Sequence, residues 1–451
     1  MALNVIMIGA SRSGKTSILA SMLNNVRDSR SECKVNNYFF IDDKSDYDGL
    51  ETEMLCKVNL QENIDGMKDM LKVQVDGHYV PKMAALMGTQ ANFRYKMDVN
   101  YKLNGIKSGK TLSIVFNDIP GEFCTDTNYD LIVDEVKKSQ ILIVAVDVPC
   151  LMYAKERGLD SLNTVMNCTN AVYNALQDLG TGCYGEISNE SERNRKLTEL
   201  LRMVIFVPIK CEYWMQSGQM ANVIEEIKRV YDRELEICRN FENIQAMVLP
   251  IETIGTCLFD HFSDEENSLI LKYGIPPTSK NYVDEDEIDG KKAVRCEQIA
   301  EGQVRLKNGV IYDLRPDDKL ISARERKVHP YCYERGKLIP YTWFKANSKK
   351  FEPKYCELLF SRILKFSIMD LAKRTGHSPR EAFDDANKWW EIILRIPDFF
   401  SRWFSGDRAA YSDVEQVRNF RRNIKEIERQ GVLDENHITY LVNKENGIGL
   451  I

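Results

Sequence analysis

The sequence predicts an α/β three-layer sandwich built on a mostly parallel sheet, with large insertions and a C-terminal α-helical extension. Three observations carry that prediction. Apolar runs of strand length stand at 3–8, 141–146, 203–209 and 246–251, and the run Ile141 to Val146 contains no polar residue, as a central strand covered on both faces requires. Helical stretches lie between them, from Lys15 to about Arg27 and near 128–138, 160–179 and 220–241, and this alternation implies parallel strands joined by right-handed crossovers. The first strand and first helix are joined by a glycine-flanked loop, Gly9-Ala10-Ser11-Arg12-Ser13-Gly14-Lys15-Thr16.

The first helix carries Ile18, Leu19, Met22 and Leu23 on one face. A long charged segment follows and reads as an insertion over about 28–90. Within it, roughly 48–75 is predicted helical from the recurrence of Leu50, Met54, Leu55, Val58, Met67, Met70 and Leu71. Phe93 to Leu103 alternates apolar with polar residues, and a second strand, Thr111 to Phe116, comes after a short turn; the pair predicts an antiparallel hairpin. Residues 1–257 are thus expected to form the core. The acidic and basic patches, prolines and short alternating runs of 258–350 read as a second insertion, partly hairpin. Residues 351–451 read as a closing helix, Tyr355 to Lys373, and a helical extension that includes Pro379 to Arg395 and 413–430.

Composition narrows the function classes. The 451 residues exceed one ordinary domain, and 43% hydrophobic with 28% charged residues is the balance of a folded, water-soluble protein. A net charge of −6 supplies no cationic field, so nucleic acid is not the expected partner. Twelve cysteines without a C-x-x-C pair, and only five histidines, spell neither a zinc site nor a disulfide framework; buried free thiols in a reducing compartment are expected. The chain enters its first strand without a basic leader, which predicts a cytoplasmic location. No apolar stretch approaches the ~20 residues that span a bilayer, so membrane contact is expected to be peripheral at most. The aromatic-rich stretch 389–404 reads first as core packing, with a partner surface or membrane docking as alternatives.

The loop has a mechanical reason for each fixed position in G-x-x-x-x-G-K-T, the P-loop of nucleoside triphosphatases. Its glycines let backbone amides converge on phosphate oxygens, Lys15 neutralises the terminal phosphates, and the Thr16 hydroxyl ligates Mg²⁺. The helix that begins with Lys15, Thr16 and Ser17 adds its positive end. Arg12 is placed either to reach the phosphates or to point to solvent. Asp118 ends an apolar strand where a carboxylate lies beside Thr16 and can hold Mg²⁺ through a water, and Gly121 can offer an unhindered amide to a γ-phosphate.

Asp118-x-x-Gly121 after a hairpin resembles the translation-factor and Ras-like class of GTPases. That resemblance implies a guanine nucleotide, GTP with Mg²⁺, as the bound cofactor. It also implies that Glu122 stands where many members carry the glutamine that orients water, that hydrolysis is slow, and that Thr89 is the threonine closing on Mg²⁺. Ile209-Lys210-Cys211-Glu212 falls where the class reads guanine with N-K-x-D: lysine is kept, glutamate replaces aspartate, and asparagine is lost. Lys210 and Glu212 are the implied base readers, and Glu252 to Thr256 falls where the class offers an amide to guanine O6. Phe351 to Phe360 resembles the closing-helix motif of bacterial TRAFAC-clade double-GTPase families, which implies a switch acting on a partner protein encoded nearby in a conflict or defence system. Two other readings stay open: a non-hydrolysing nucleotide-bound scaffold and an ATP-dependent phosphotransferase.

Overall fold

The computed structural model describes residues 3–10, 13–27, 39–42, 60–69, 71, 79–81, 93–103, 106–124, 129–158, 160–182, 201–241, 244–262, 268–272, 285–288, 291–306, 311–316, 318–322, 331–334, 337–340, 342–346, 348, 350–374, 422–423 and 437–442. Strand β1 (Leu3–Ile8) leads through the glycine loop into helix α1 (Lys15–Arg27). The first insertion contributes β2 (Phe39–Asp42), a helix α2 over 60–69 and β3 (Tyr79–Pro81). The hairpin β4 (Phe93–Leu103) and β5 (Ile106–Asp118) follows, then a 3₁₀ turn at Gly121–Cys124 and helix α3 (Tyr129–Lys137).

The remaining core runs through β6 (Ile141–Asp147), α4 (Val148–Arg157), α5 (Asp160–Met166), α6 (Thr169–Gly182) and β7 (Met203–Ile209). It continues with α7 (Glu212–Gln216), α8 (Met220–Val230), α9 (Asp232–Asn240) and β8 (Gln245–Val248). Among the described residues, 257–346 carries strands only: β9 (Cys257–Phe262), β10 (Ser268–Lys272), β11 (Glu285–Ile288), β12 (Lys291–Ala300), β13 (Gln303–Leu306), β14 (Ile311–Asp313), β15 (Lys319–Ser322), β16 (Tyr331–Glu334), β17 (Lys337–Pro340) and β18 (Thr342–Ala346). Helix α10 (Cys356–Arg374) and strand β19 (Thr439–Val442) return to the core.

Eight strands form the central sheet in the order β19-β8-β7-β6-β1-β5-β4-β2. The five from β8 to β5 are parallel, with β4 and β2 added antiparallel at one edge and β19 antiparallel at the other. All seven residues of β6 are buried, because helices cover both faces. One face packs Val5, Met7 and Ile143 against α1, α2 and α10; the other packs Ile6, Ile8 and Val144 against α3, α4, α6, α8 and α9. Each fully buried Val, Leu or Ile contributes about 1.5–3 kcal/mol, so a strand covered on both sides is a large local source of stability. A parallel sheet between two helical layers, with the phosphate loop leaving its central strand, is the P-loop NTPase sandwich.

The structure refines several expected elements. The helix expected over 48–75 is described as helix at 60–69, the residues before 60 lying outside the described set. The helix expected over 160–179 is two, because Cys168 takes a left-handed conformation (φ 52°) and Asn167 turns its side chain to the end of β6, accepting from the Asp147 amide at 2.8 Å. The helix expected over 220–241 breaks at Tyr231, whose buried hydroxyl donates to the Asn167 carbonyl at 2.6 Å. Helix α4 was not anticipated, although Asp147 caps it through the Cys150 amide and Pro149 stands in its first turn. Strand β19 was likewise unforeseen: the tail puts a strand on the core sheet. The extension helices expected at Pro379 to Arg395 and 413–430 and the aromatic stretch 389–404 lie almost wholly outside the described residues.

Segment 350–356 binds the loop that follows β8. Glu252 and Lys354 exchange backbone hydrogen bonds at 3.0 and 2.9 Å, the Glu352 amide donates to the Ile254 carbonyl at 3.0 Å, and the Thr256 hydroxyl donates to the Lys350 carbonyl at 2.9 Å. Gly255, at φ 84°, is pressed against this segment, and a Cβ there would stand 1.7 Å from the Glu352 carbonyl oxygen. Gly302, at φ 75°, has nothing within 4 Å of the same point. Urea unfolding should therefore separate the two: Gly302→Ala is expected to cost about 1–2 kcal/mol from backbone conformation alone, and Gly255→Ala at least ~3 kcal/mol because the clash adds to it. Equal costs would show that segment 350–356 is not held against the loop.

Candidate functional site

Parallel strands bring their C-terminal ends to one edge of a sheet, and the candidate residues gather there. Register aligns Met7 with Asp118 and Ile8 with Val144, so the glycine loop emerges between the ends of β5 and β6. Lys15 is buried, and its ammonium donates to the Gly9 carbonyl at 2.7 Å and the Ala10 carbonyl at 3.0 Å. The Thr16 hydroxyl donates to Asp118 Oδ2 at 2.7 Å. Gly9 must lack a side chain, since a Cβ there would meet Ser13 Oγ at 2.8 Å and the Ala145 methyl at 3.0 Å. Ser13 Oγ is buried and has no hydrogen-bond partner among the described residues.

Asp118 is held by its strand. Its neighbour Asn117 donates to Glu135 of α3 at 2.6 Å, and Arg94 of β4 makes a two-pronged contact with the same carboxylate at 2.9 and 3.0 Å. Gly121 is buried at the start of the 3₁₀ turn, and Cys124 at its end donates to the Gly9 carbonyl at 3.5 Å. Ser17 faces the other way, donating to Asn63 of α2 at 2.9 Å, so the first insertion rests on the loop's own helix. Ser11, Arg12, Thr89 and the Glu122 side chain lie outside the described residues.

The second half of the site is at the end of β7. Ile209 reaches the glycine loop, since a Cβ on Gly14 would come within 3.0 Å of its Cδ1. Lys210 turns the chain at φ 55°, a conformation that costs a side-chain-bearing residue about 1–2 kcal/mol. Its ammonium pairs with Asp147 Oδ2, from the end of β6. Burial alone would lower the Lys210 pKa, but the Asp147 charge, then Cys150 and the Asp147 hydrogen bond, with the smallest contribution from Glu212, raise it. Asp147 was not singled out from the sequence. It carries the same signal as Asp118, a carboxylate closing an apolar strand.

Glu212 opens α7 and is 1% exposed. Burial pushes its pKa up to about 7; its own amide and those of Gly255 and Ile254 oppose the rise, and the charge of Glu252 adds to it. Its Oε2 has no hydrogen-bond partner among the described residues. Glu212 therefore sits against the 252–256 loop, which Ser21 of α1 also holds by donating to the Thr253 carbonyl at 2.8 Å. The thiols of Cys211, Cys257 and Cys356 surround this region, all with pKa values raised by burial, which makes them inert at neutral pH.

Oxygen donors dominate the phosphate end: a threonine hydroxyl and an aspartate carboxylate in contact, beside a lysine. That donor set fits Mg²⁺, which prefers carboxylate, hydroxyl and water oxygens. The paired Thr16 and Asp118 and the buried, unpartnered Ser13 hydroxyl are what a triphosphate–magnesium group would meet.

No family model matches the chain, and no curated protein matches it either. Its fold is similar to solved GTPase structures. One is the signal recognition particle receptor SRb-GTP/SRX complex from Chaetomium thermophilum, at 13% identity over 56% of this chain and 92% of that one, with a TM-score of 0.29. Another is the Ski7 GTPase-like domain of S. cerevisiae, bound to GDP and inorganic phosphate, at 7% identity over 78% and 71%, with a TM-score of 0.28. Superposition this loose carries no argument about activity, so the fold assignment rests on strand order and the position of the glycine loop.

Glu212 yields a prediction about stability. Its folded-state pKa of about 7 exceeds the ordinary value of 4.5, so the folded chain holds the proton more tightly and stability falls as pH rises from about 4.5 to 7. Glu234, raised to about 7 chiefly by burial, acts in the same direction. In urea unfolding at pH 8, Glu212→Gln is expected to be more stable than the parent by on the order of 1–3 kcal/mol. The difference should vanish toward pH 5; a constant difference would show that Glu212 does not titrate in this window.

Proposed function

We propose that the chain is a TRAFAC-clade GTP-binding protein that hydrolyses GTP slowly and acts as a nucleotide-dependent switch on a partner protein. The observation that carries the reading is the contact of Thr16 with Asp118 beside Lys15, at the end of the strand that leads into the glycine loop. Loop amides and Lys15 would bind the phosphates, and Thr16 with Asp118 would hold Mg²⁺, with Thr89 as an additional oxygen donor. Bound there, Mg²⁺ supplies charge neutralisation to the β- and γ-phosphates. The Gly121 amide would meet the γ-phosphate, Arg12 would neutralise the same charge, and Glu122 would accept a hydrogen bond from attacking water. A carboxylate in that role is disfavoured by the phosphate charge, which is why turnover is expected to be slow.

At the base end, the Lys210 stem would cover the ring and Glu212 would accept from guanine N1–H and N2–H. Adenine offers no matching pair of donors, so it would leave a buried carboxylate unsatisfied. The resemblance of 351–360 to the bacterial double-GTPase families supports a partner encoded nearby, in a conflict or defence system.

Binding of labelled GTP and ATP with Mg²⁺ tests the base. GTP is expected to bind at least ~100-fold more tightly, Glu212→Ala to remove most of that preference, and Lys15→Ala to remove binding of both nucleotides. Equal affinities that Glu212→Ala leaves unchanged would overturn the guanine assignment. Phosphate release gives the second test: turnover is expected on the order of 10⁻³ per second or slower, as in unassisted switch GTPases, and about tenfold slower in Glu122→Ala. An unaltered rate in that variant would remove Glu122 from the mechanism.

A further inference from the structure

Lys210 and Glu212 leave the same strand end two residues apart, one a cation and the other a buried carboxylate with an oxygen that accepts no hydrogen bond among the described residues. Opposite charges at such spacing attract strongly where water is excluded, and a lysine with a flexible four-carbon stem would ordinarily close on its nearest carboxylate. A Lys210–Glu212 pair would cover the acceptors that a base must reach. The structure shows a different pairing: the Lys210 ammonium goes to Asp147.

Asp147 is built to hold that ammonium. It is 1% exposed and stands at the end of β6, in register with Ile209, the residue before Lys210. Its Oδ1 accepts from the Cys150 amide at 3.1 Å as the cap of α4, which leaves Oδ2 for the lysine. Its own amide donates to Asn167 Oδ1 at 2.8 Å, and Asn167 is fixed in turn by Asn163 at 2.9 Å and by the Tyr231 hydroxyl at 2.6 Å. Lys354, on the segment that holds the 252–256 loop, is paired with Glu252 at 2.9 Å. Lys210 and Lys354 are thus each paired with a carboxylate other than Glu212.

We infer that Asp147 is a positioning residue for base selection: by holding the Lys210 ammonium it keeps that group from bonding to Glu212 and leaves the Glu212 carboxylate to the hydrogen-bond donors of a guanine. The inference rests on the guanine reading above and adds to it a residue that touches neither base nor phosphate. It also accounts for the left-handed backbone of Lys210, which directs the side chain toward β6 at a conformational cost.

The test compares affinities of the 451-residue chain for GTP, ATP and inorganic tripolyphosphate, the last a probe without a base. Asparagine caps helices about as well as aspartate, so Asp147→Asn keeps the α4 cap and removes only the charge. Asp147→Asn is expected to lower the GTP-to-ATP affinity ratio at least ~10-fold with tripolyphosphate binding unchanged, the scale of one charge-assisted hydrogen bond. Adding Lys210→Met, which keeps an apolar stem but no charge, should restore most of the ratio. A ratio unaffected by Asp147→Asn, or a loss that Lys210→Met does not repair, overturns the inference while the guanine reading stands. A parent chain that binds GTP and ATP alike overturns the guanine reading, and this inference with it.

Discussion

The alignment of β1 between β5 and β6 is the constraint on which the rest depends. Because these strands are parallel and in register, the glycine loop, Asp118 and Asp147 end at the same edge, and β7 and β8 add Lys210 and the 252–256 loop beside them. None of these polar groups is near the others in sequence. The burial of Val5, Ile6, Met7 and Ile8 on both faces of β1 fixes the register, since a slip by one residue would exchange the two cores. Chemistry at the edge is therefore inherited from packing in the middle.

A second constraint acts from outside the sheet. The 252–256 loop would be an exposed connection if β8 simply ended, and exposed loops move. Here it is held between Ser21 of α1 and segment 350–356, with Gly255 in contact with the Glu352 carbonyl. The chain that supplies this hold also begins α10, whose Leu359, Phe360 and Ile363 are buried in the core layer that contains α1. The second insertion leaves the core at Cys257 and returns at Ala346, which pair with each other, so its base is a strand pair set directly on that loop.

Much of the fold was legible because its signals are local. Seven apolar residues without a polar interruption at β7, alternation in β4 and glycine spacing before α1 each point to one structure. The breaks at Cys168 and Tyr231 were not legible, since both residues suit a helix interior and are stopped by partners distant in the sequence, Asp147 and Asn167. Strand β19 is four residues long, too short for periodicity to show. At the site, the loop and the Thr16–Asp118 contact follow from strand order alone. The Asp147–Lys210 pair does not, because nothing local tells which of two carboxylates a lysine will choose.

The three-stranded sheet β3-β18-β9 joins the two insertions, with Tyr79, Val80 and Pro81 paired to Lys345, Phe344 and Trp343. During synthesis β3 is complete long before its partner strand has been made. Contacts that close so long a loop form slowly, and an early strand left waiting exposes an unpaired edge. The first insertion thus reaches its final pairing only after the second has been translated and folded back.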